Sequence, residues 1–372
     1  MSRIVILDDF FPDLSTGFRI AEFGWLLRRN VVDDVYTTAR PLDELLGDFA
    51  ESEPDLASRV HAYEATALRD ADLASIVFLN NAFHYIDDLE EHSVPFVVTL
   101  YPGGGLDLGD EVTHAKLARV LGSPLLRHVI TTQPRTTDYL RTHFGQDIPI
   151  TEIPGVVVDP SYFVPGAGLR NNYYPRGSEV LSLGFIAHRY SERGDDKGFP
   201  AFIEVVRILL ARGHPVHAHI IGGFEETDVE PSSRSELNGR LRFHGTLTGQ
   251  ALRRAMSGLD IVVSPNRPGV LTPAAFDGFP TGSAIEAALC GVAMVVTDEL
   301  DQNRLFRPGF DIEIVTVEPS DIAGAIERLV LVEDGIASMA QAGLRQSRRS
   351  YGIEAQLHSR RGILERAAGR VS

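Results

Sequence analysis

Residues 276–298 read FDGFPTGSAIEAALCGVAMVVTD. The stretch reads as one short unit: a carboxylate, a loop of small residues, a second carboxylate, a helix and a buried strand. Asp277 opens it. Gly278, Thr281, Gly282 and Ser283 leave backbone N–H groups uncovered by large side chains. The apolar pattern after Ser283 predicts a helix, so those N–H groups lie at its positive end, which attracts phosphate. Glu286 falls within the first turns. Donors for phosphate oxygens and a carboxylate for ribose hydroxyls are the groups that hold a nucleoside diphosphate. On local features alone, the commoner arrangement is a capped helix start, with Thr281 or Ser283 as cap and Glu286 as an early-turn acid.

Outward from this unit, β-rich runs alternate with helical runs, which predicts an α/β protein with parallel sheets. In the first half the buried strands are expected at 4–7, 75–79, 96–100 and 129–132. Helices are expected at 18–28, 55–69, 111–121 and 134–143. Residues 159–178, DPSYFVPGAGLRNNYYPRGS, are rich in Pro, Gly, Asn and Tyr and read as a linker. A second alternation follows, with strands at 180–187, 218–221, 241–244, 261–264, 293–297 and 312–315. One helix is expected at 199–210, and the tail from 320 to 370 is mostly helical. Two doubly wound halves are thus expected, 1–165 and 166–350, with a ligand cleft between them at the carboxyl ends of parallel strands.

The 372 residues are 44% hydrophobic, enough for two full cores. A net charge of −16 argues against nucleic acid or an anionic membrane as the main partner, both of which need basic surfaces. At most a weak peripheral membrane contact is compatible with it. The N-terminal MSRIVILDDFFPD reads as a first strand rather than a signal peptide, and no long apolar span follows. A cytoplasmic protein is expected; its oligomeric state is left open. The one cysteine, Cys290, sits on an apolar helix face and reads as packing. No dense Asp/His ligand cluster is visible, so no metal is expected. The acids of DDF near the N-terminus and the pair at 195–196 read as solvated turn residues.

Of 35 basic residues only Lys116 and Lys197 are lysine. Lys116 lies on a surface helix and reads as solvated. Lys197 sits between a strand-like and a helix-like run, where a compact point charge suits phosphate; a solvated loop lysine is the plain alternative.

Five blocks in order then resemble the donor domain of retaining, nucleotide-sugar-dependent glycosyltransferases of the GT-B fold, family 4. Ile153-Pro154-Gly155-Val156-Val157-Val158-Asp159 with Phe163 resembles the family's P-N-G-V-D…F. Residues 184–198, ending in Lys197-Gly198, resemble its phosphate turn. His219-Ile220-Ile221-Gly222-Gly223 resembles its strand and Gly-rich loop. Residues 241–245 through 259–265 resemble its F-x-G…A-D-V-V-V-P-S run. Residues 277–298 resemble its acid–helix–strand core. In the first half, Ser15-Thr16-Gly17 stands where the family has a Gly-rich turn facing the donor phosphates. The strand at 96–100 ends in Tyr101-Pro102 where the family usually has His-Asp.

The resemblance implies a GT-B fold and transfer of a sugar from a nucleoside diphosphate sugar, a UDP- or GDP-sugar, to a hydroxyl acceptor with retention. The nucleotide sugar is a substrate; no cofactor is implied. By the same resemblance, Lys197 with Arg189 or Arg193 stabilises the leaving diphosphate. Gly17 and the backbone of Thr281, Gly282 and Ser283 assist. Asp277, with the Gly278-Phe279-Pro280 stretch, holds sugar hydroxyls. Glu286 binds the ribose. Gly222, Gly223, Thr246 and Leu247 lie near the nucleotide. Tyr101, the backbone of Gly103 and Gly104, or His84 would replace the missing His on the acceptor side. The last helix, within 351–372, is expected to return to the first domain. Two departures stand out: Asp277 precedes Glu286 by nine positions where the family has eight, and Arg189 and Lys197 are eight apart. A GT-B-like sugar-nucleotide 2-epimerase or hydrolase, and a non-catalytic nucleotide-sugar-binding subunit, are the competing readings.

Overall fold

The computed structural model describes residues 2–370. The chain divides into two compact units. The first takes residues up to Pro160 together with those from Tyr351 onward, and the second is Ser161–Ser350.

The first unit is built from β1 (Ile4–Asp8), α1 (Gly17–Arg28), β2 (Asp34–Thr37), α2 (Leu42–Ser52), α3 (Pro54–Ala57), β3 (Val60–Ala62), β4 (Leu73–Val77), α4 (Leu79–Glu91), β5 (Phe96–Leu100), α5 (Glu111–Leu121), β6 (Leu126–Thr131), α6 (Pro134–Phe144) and β7 (Ile150–Glu152). The seven strands form one parallel sheet in the order β3-β2-β1-β4-β5-β6-β7. β1 and β5 are buried along their whole length, as strands covered on both faces must be.

The continuous helix expected at 55–69 does not form; a single turn, α3, and a 3-10 segment at Ala65–Asp70 flank the strand β3. Leu56, Val60 and Leu68 are all buried, and their spacing of four and eight imitates a helical stripe. Val60 instead pairs with Val35 in the sheet. Arg59 fixes the chain there, its Nε donating to Asp33 O at 2.7 Å and Nη1 to Leu27 O at 2.7 Å. The strand expected at 75–79 runs two residues earlier. Phe78 adopts φ 71°, which stops β4 and turns the chain into α4.

The segment from Tyr351 onward belongs to this unit's core: Leu357, Ile363 and Leu364 are buried with Ile4, Trp25 and Val97. Burying a Leu or Ile side chain stabilises by about 1.5–3 kcal/mol. Arg360 of this segment is also buried, at 1% exposure. Its Nη2 donates to the Tyr101 hydroxyl at 3.0 Å, its Nη1 to Gln356 Oε1 at 2.7 Å, and its Nε lies 3.4 Å from Glu22 Oε1.

The second unit contains β8 (Leu181–Ile186), α7 (Phe199–Ala211), β9 (Val216–Ile221), α8 (Pro231–Glu236), β10 (Leu241–Phe243), α9 (Gly249–Met256), β11 (Ile261–Ser264), α10 (Gly282–Leu289), β12 (Ala293–Thr297), β13 (Glu313–Val315), α11 (Pro319–Leu331) and most of α12 (Gly335–Tyr351). Its six parallel strands run in the order β10-β9-β8-β11-β12-β13, and all six lie at the expected positions. Part of the Pro/Gly-rich stretch packs onto this unit: Tyr173 is buried in its core and donates to Gly291 O at 2.7 Å. Among the described residues no helix is long and apolar enough to cross a membrane.

Candidate active site

In the second sheet the strand order reverses at β8, which is flanked by β9 and β11. Ligands of open α/β sheets bind outside the carboxyl ends of the strands at such a point. The N-terminus of α10 is fastened there from both sides. Thr281 is its N-cap, accepting from Ala284 N at 3.4 Å, and its hydroxyl lies 3.1 Å from Ser264 Oγ at the end of β11. Ser283 is not the cap; its hydroxyl donates to Ile186 O at the end of β8, at 2.8 Å. The two candidate caps therefore divide the work. One satisfies the helix start and the other docks it on the sheet.

Lys197 reaches the same place by backbone geometry. Gly198 has φ +70°, and a Cβ on it would stand 2.0 Å from Pro265 O. Glycine lets the turn before α7 lie directly against the chain leaving β11. Lys197 is 7% exposed, and its Nζ donates to both oxygens of Asp277, at 2.7 Å each. Asp196 Oδ2 is 3.6 Å away, and the Tyr190 ring lies 5.0 Å from the ammonium. Asn266, absent from the sequence-based site, donates from Nδ2 to Asp277 Oδ2 at 2.6 Å. Gln302 donates to the Asp277 carbonyl at 3.2 Å. A pocket is lined here by Ser264, Asn266, Asp277, Gly278, Thr281 and Asp298, with Phe279 and Pro280 in its wall.

Asp196 is not a solvated turn acid. It is 3% exposed, and its Oδ1 accepts from the Ser191 hydroxyl at 2.5 Å and the Ser191 N–H at 3.2 Å. Both arginines pair with acids other than Asp277. Arg189 pairs with Asp228 at 2.6 Å and Arg193 with Glu230 at 2.7 Å, both on exposed side chains drawn to the acids that follow β9.

Gly222 has φ 135°, and a Cβ there would meet Ala187 O at 1.9 Å, so its smallness lets β9 end against β8. Gly223 faces open space. Thr246 is exposed and Leu247 half-buried, just beyond β10. At that edge His219 Nδ1 lies 3.1 Å from His244 Nε2, with the rings stacked 5.3 Å apart. Burial, then the His244 charge, pushes His219 down to about 4. Glu286 is half-buried on α10. Burial first, then the nearby Glu286 charge, raises the Tyr162 phenol above its ordinary value.

In the first unit Asp8, the last residue of β1, is structural rather than solvated. Asp8 is fully buried; its Oδ1 accepts from the N–H groups of Phe10 and Phe11, and its Oδ2 from Arg19 Nε at 3.0 Å. Burial raises the Asp8 carboxyl despite Arg19. Arg19 also bonds Asp9 at 3.0 Å, and the rings of Phe10, Phe18 and Phe78 lie about it at 4.8–5.2 Å. Gly17 opens α1 with open space at its Cβ position.

The acceptor-side candidates change role. Tyr101 is 3% exposed, and its hydroxyl is engaged inside the unit, donating to Glu22 Oε2 at 3.1 Å and accepting from Arg360. His84 is exposed on α4, its ring against Tyr85, not at a strand end. Gly103 and Gly104 both have positive φ, and a Cβ on Gly104 would strike the Phe78 ring. Lys116 is not merely solvated: its Nζ donates to Asn80 Oδ1 at 2.8 Å.

Residues 181–331, from β8 through α11, match the family described as Glycosyl transferases group 1. No curated protein matches the chain by sequence. Solved structures resemble it over its full length. HepE of Anabaena in complex with UDP has a TM-score of 0.71 at 15% identity, covering 98% of this chain and 100% of that one. The sucrose-phosphate synthase of Thermosynechococcus elongatus has a TM-score of 0.66 at 15% identity, covering 100% of both chains. A glycosyltransferase from Rickettsia africae has a TM-score of 0.69 at 12% identity, again covering 100% of both. HepE has also been solved with UDP-glucose. The fold is GT-B, two parallel α/β sheets, as the sequence blocks imply.

Proposed function

We propose that the protein is a retaining glycosyltransferase that moves a sugar from a nucleoside diphosphate sugar to a hydroxyl acceptor. The observation that carries the reading is the meeting of Lys197, Asp277 and the N-terminus of α10 at the β8/β11 reversal. The family match over that unit and the UDP and UDP-glucose complexes of HepE support it. Retention follows from the resemblance to family 4.

In this reading the second unit takes the donor and the first the acceptor. The bond between the anomeric carbon and the diphosphate oxygen breaks while the acceptor oxygen bonds to the same face of that carbon. The acceptor proton leaves on a phosphate oxygen of the departing diphosphate. Negative charge grows on that diphosphate, and Lys197 with the N–H groups of 281–283 is placed to stabilise it. Asp277 and the Gly278–Phe279 backbone hold sugar hydroxyls, and Glu286 takes the ribose. Thr246 and Leu247, beyond the edge strand β10, take the base.

A thermal-shift screen with UDP, GDP, ADP and dTDP at millimolar concentration tests this. A ligand at 100 times its Kd stabilises the native state by about 2.7 kcal/mol. At least one diphosphate should give a clear shift; none with any of the four, confirmed by calorimetry, refutes the donor site.

A further inference from the structure

Lys197 carries the charge assigned to the donor diphosphate, yet two of its ammonium protons are directed at one carboxylate. Asp277 accepts from Nζ through both oxygens, at 2.7 Å each. Asp277 is itself held in that orientation. Asn266 Nδ2 donates to its Oδ2 at 2.6 Å. Asn266 is fixed in turn by Ser264, whose hydroxyl donates to Asn266 Oδ1 at 2.8 Å, and by Thr297, whose hydroxyl donates to Asn266 O at 2.7 Å. The ends of β11 and β12 thus aim one amide at one carboxylate, and that carboxylate at one lysine. A second acid, Asp196, stands 3.6 Å from the same nitrogen. A diphosphate at Lys197 finds one ammonium proton not directed at Asp277; to gain more than that one it draws the ammonium away from Asp277, and in either case it places its own negative charge beside that carboxylate. Asp277 and the diphosphate are therefore competitors for one cation in a half-buried site, where screening is weak.

We infer that Asp277 acts as an internal anion that competes with the donor diphosphate for Lys197, and that Asn266 is the positioning residue that sets the strength of this competition. The competition has a use in turnover. Both donor and product carry the diphosphate, and the product diphosphate bears more charge. A carboxylate ready to retake Lys197 weakens the hold on the product and speeds its release. The inference rests on the diphosphate reading of this site and adds to it a role for Asp277 apart from sugar hydroxyls.

The test measures binding of inorganic pyrophosphate and of UDP by calorimetry at fixed ionic strength, on the full chain. The proteins are the parent, Asp277→Asn, Asn266→Ala, Lys197→Met, and the Lys197→Met/Asp277→Asn pair. Asp277→Asn keeps the shape and removes the competing charge, so pyrophosphate should bind roughly tenfold tighter, a change of about 1.4 kcal/mol. Asn266→Ala leaves both charges but frees Asp277 to turn away, so the gain should be smaller and in the same direction. Its folding does not depend on losing the ion pair, which covers the case in which Asp277→Asn fails to fold. In the Lys197→Met background the Asp277→Asn gain should vanish.

Unchanged or weaker pyrophosphate binding in Asp277→Asn and Asn266→Ala overturns the inference while leaving the donor site standing, provided the parent binds UDP. A gain that persists without Lys197 also overturns it, since removal of net negative charge would then account for the change. If neither pyrophosphate nor UDP binds any of the five proteins, the donor-site reading and this inference fall together. If sugar hydroxyls were the only task of Asp277, its variant would weaken nucleotide-sugar binding and leave pyrophosphate untouched.

Discussion

Replacing Arg360 by Met should destabilise the first unit by about 3–5 kcal/mol, the usual result of removing one partner of a buried ion pair. Arg360 and Glu22 are 1% and 4% exposed, and the Tyr101 hydroxyl sits between them, giving to one and taking from the other. Met fills much of the aliphatic volume of Arg, so the loss is chiefly electrostatic. Burial already pushes the Glu22 carboxyl above its ordinary range, and Arg360 pulls it back. Without Arg360 the carboxyl keeps its proton to higher pH. A carboxyl whose folded pKa lies above its unfolded value contributes fully below the unfolded pKa, about 4.3, and loses that contribution as pH rises toward the folded one. The penalty of Arg360→Met should therefore be smaller at pH 5 than at pH 7.5.

Trp25, the only tryptophan, lies on the same helix as Glu22, with the His358 ring of the terminal segment 5.6 Å away, so its fluorescence reports this unit directly. The midpoint at pH 7.5 should fall by on the order of 10 °C. The Glu22→Gln/Arg360→Met pair, in which neither position leaves an unpaired charge and Gln still accepts from Tyr101, should recover most of it. A single variant within about 0.5 kcal/mol of the parent, the range of ordinary surface substitutions, refutes the reasoning. So does a double variant no better than the single.

Three further outcomes follow from the second unit. Lys197→Ala should lower turnover by roughly 10²–10³, the loss of one charge-stabilising donor; a fully active variant would return Lys197 to an ordinary turn lysine. Glu286→Gln should weaken nucleotide binding, by up to about 1.5–3 kcal/mol for a hydrogen bond to a charged group, more than it slows the chemical step; an unchanged KM for the nucleotide sugar would assign Glu286 to the helix alone. Cys290 is buried and its thiol is pushed up to about 11, mainly by burial, so iodoacetamide at pH 8 should modify it only as the second unit unfolds. Rapid labelling of the native protein would contradict that.

The second sheet was most readable where an apolar run meets a breaker, as in Ile220-Ile221 before Gly222 and Ile261–Ser264 before Pro265 and Asn266. The first sheet was readable only in part. β2 and β3, four and three residues long, read DVYT and VHA, with two residues buried in the first and one in the second, so neither stands out as an apolar run. The spacing of Leu56, Val60 and Leu68 satisfied a helix as well as a strand between two turns. What decided was the pairing of Val60 with Val35 and the grip of Arg59 on the chain near Asp33, both long-range facts. The signal for α10 was local, so its start and its cap could be narrowed to Thr281 or Ser283. Only the positions of β8 and β11 showed which hydroxyl faced the helix and which faced the sheet.

The ion pairs were harder, for a reason that sheet order makes plain. Asp8 and Asp9 read as turn acids because short Asp runs after a strand usually are. Asp8 ends β1, however, and Arg19 lies in the first turn of the helix that follows, so the same turn that exposes the backbone buries the pair. Lys197 and Asp277 are eighty residues apart. They meet because β8 and β11 are neighbours, which brings the turn leaving β8 beside the loop leaving β11. A motif names the residue types at each of those turns, but their partners follow from which strands are adjacent. Arg189 and Arg193 show the converse. Each had the right charge for a phosphate turn, but both lie on the exposed approach to it, beside Asp228 and Glu230. Charge type was legible from the chain; a charge is placed to act on a ligand only where the backbone, as at Gly198, brings it against the reversal of the sheet.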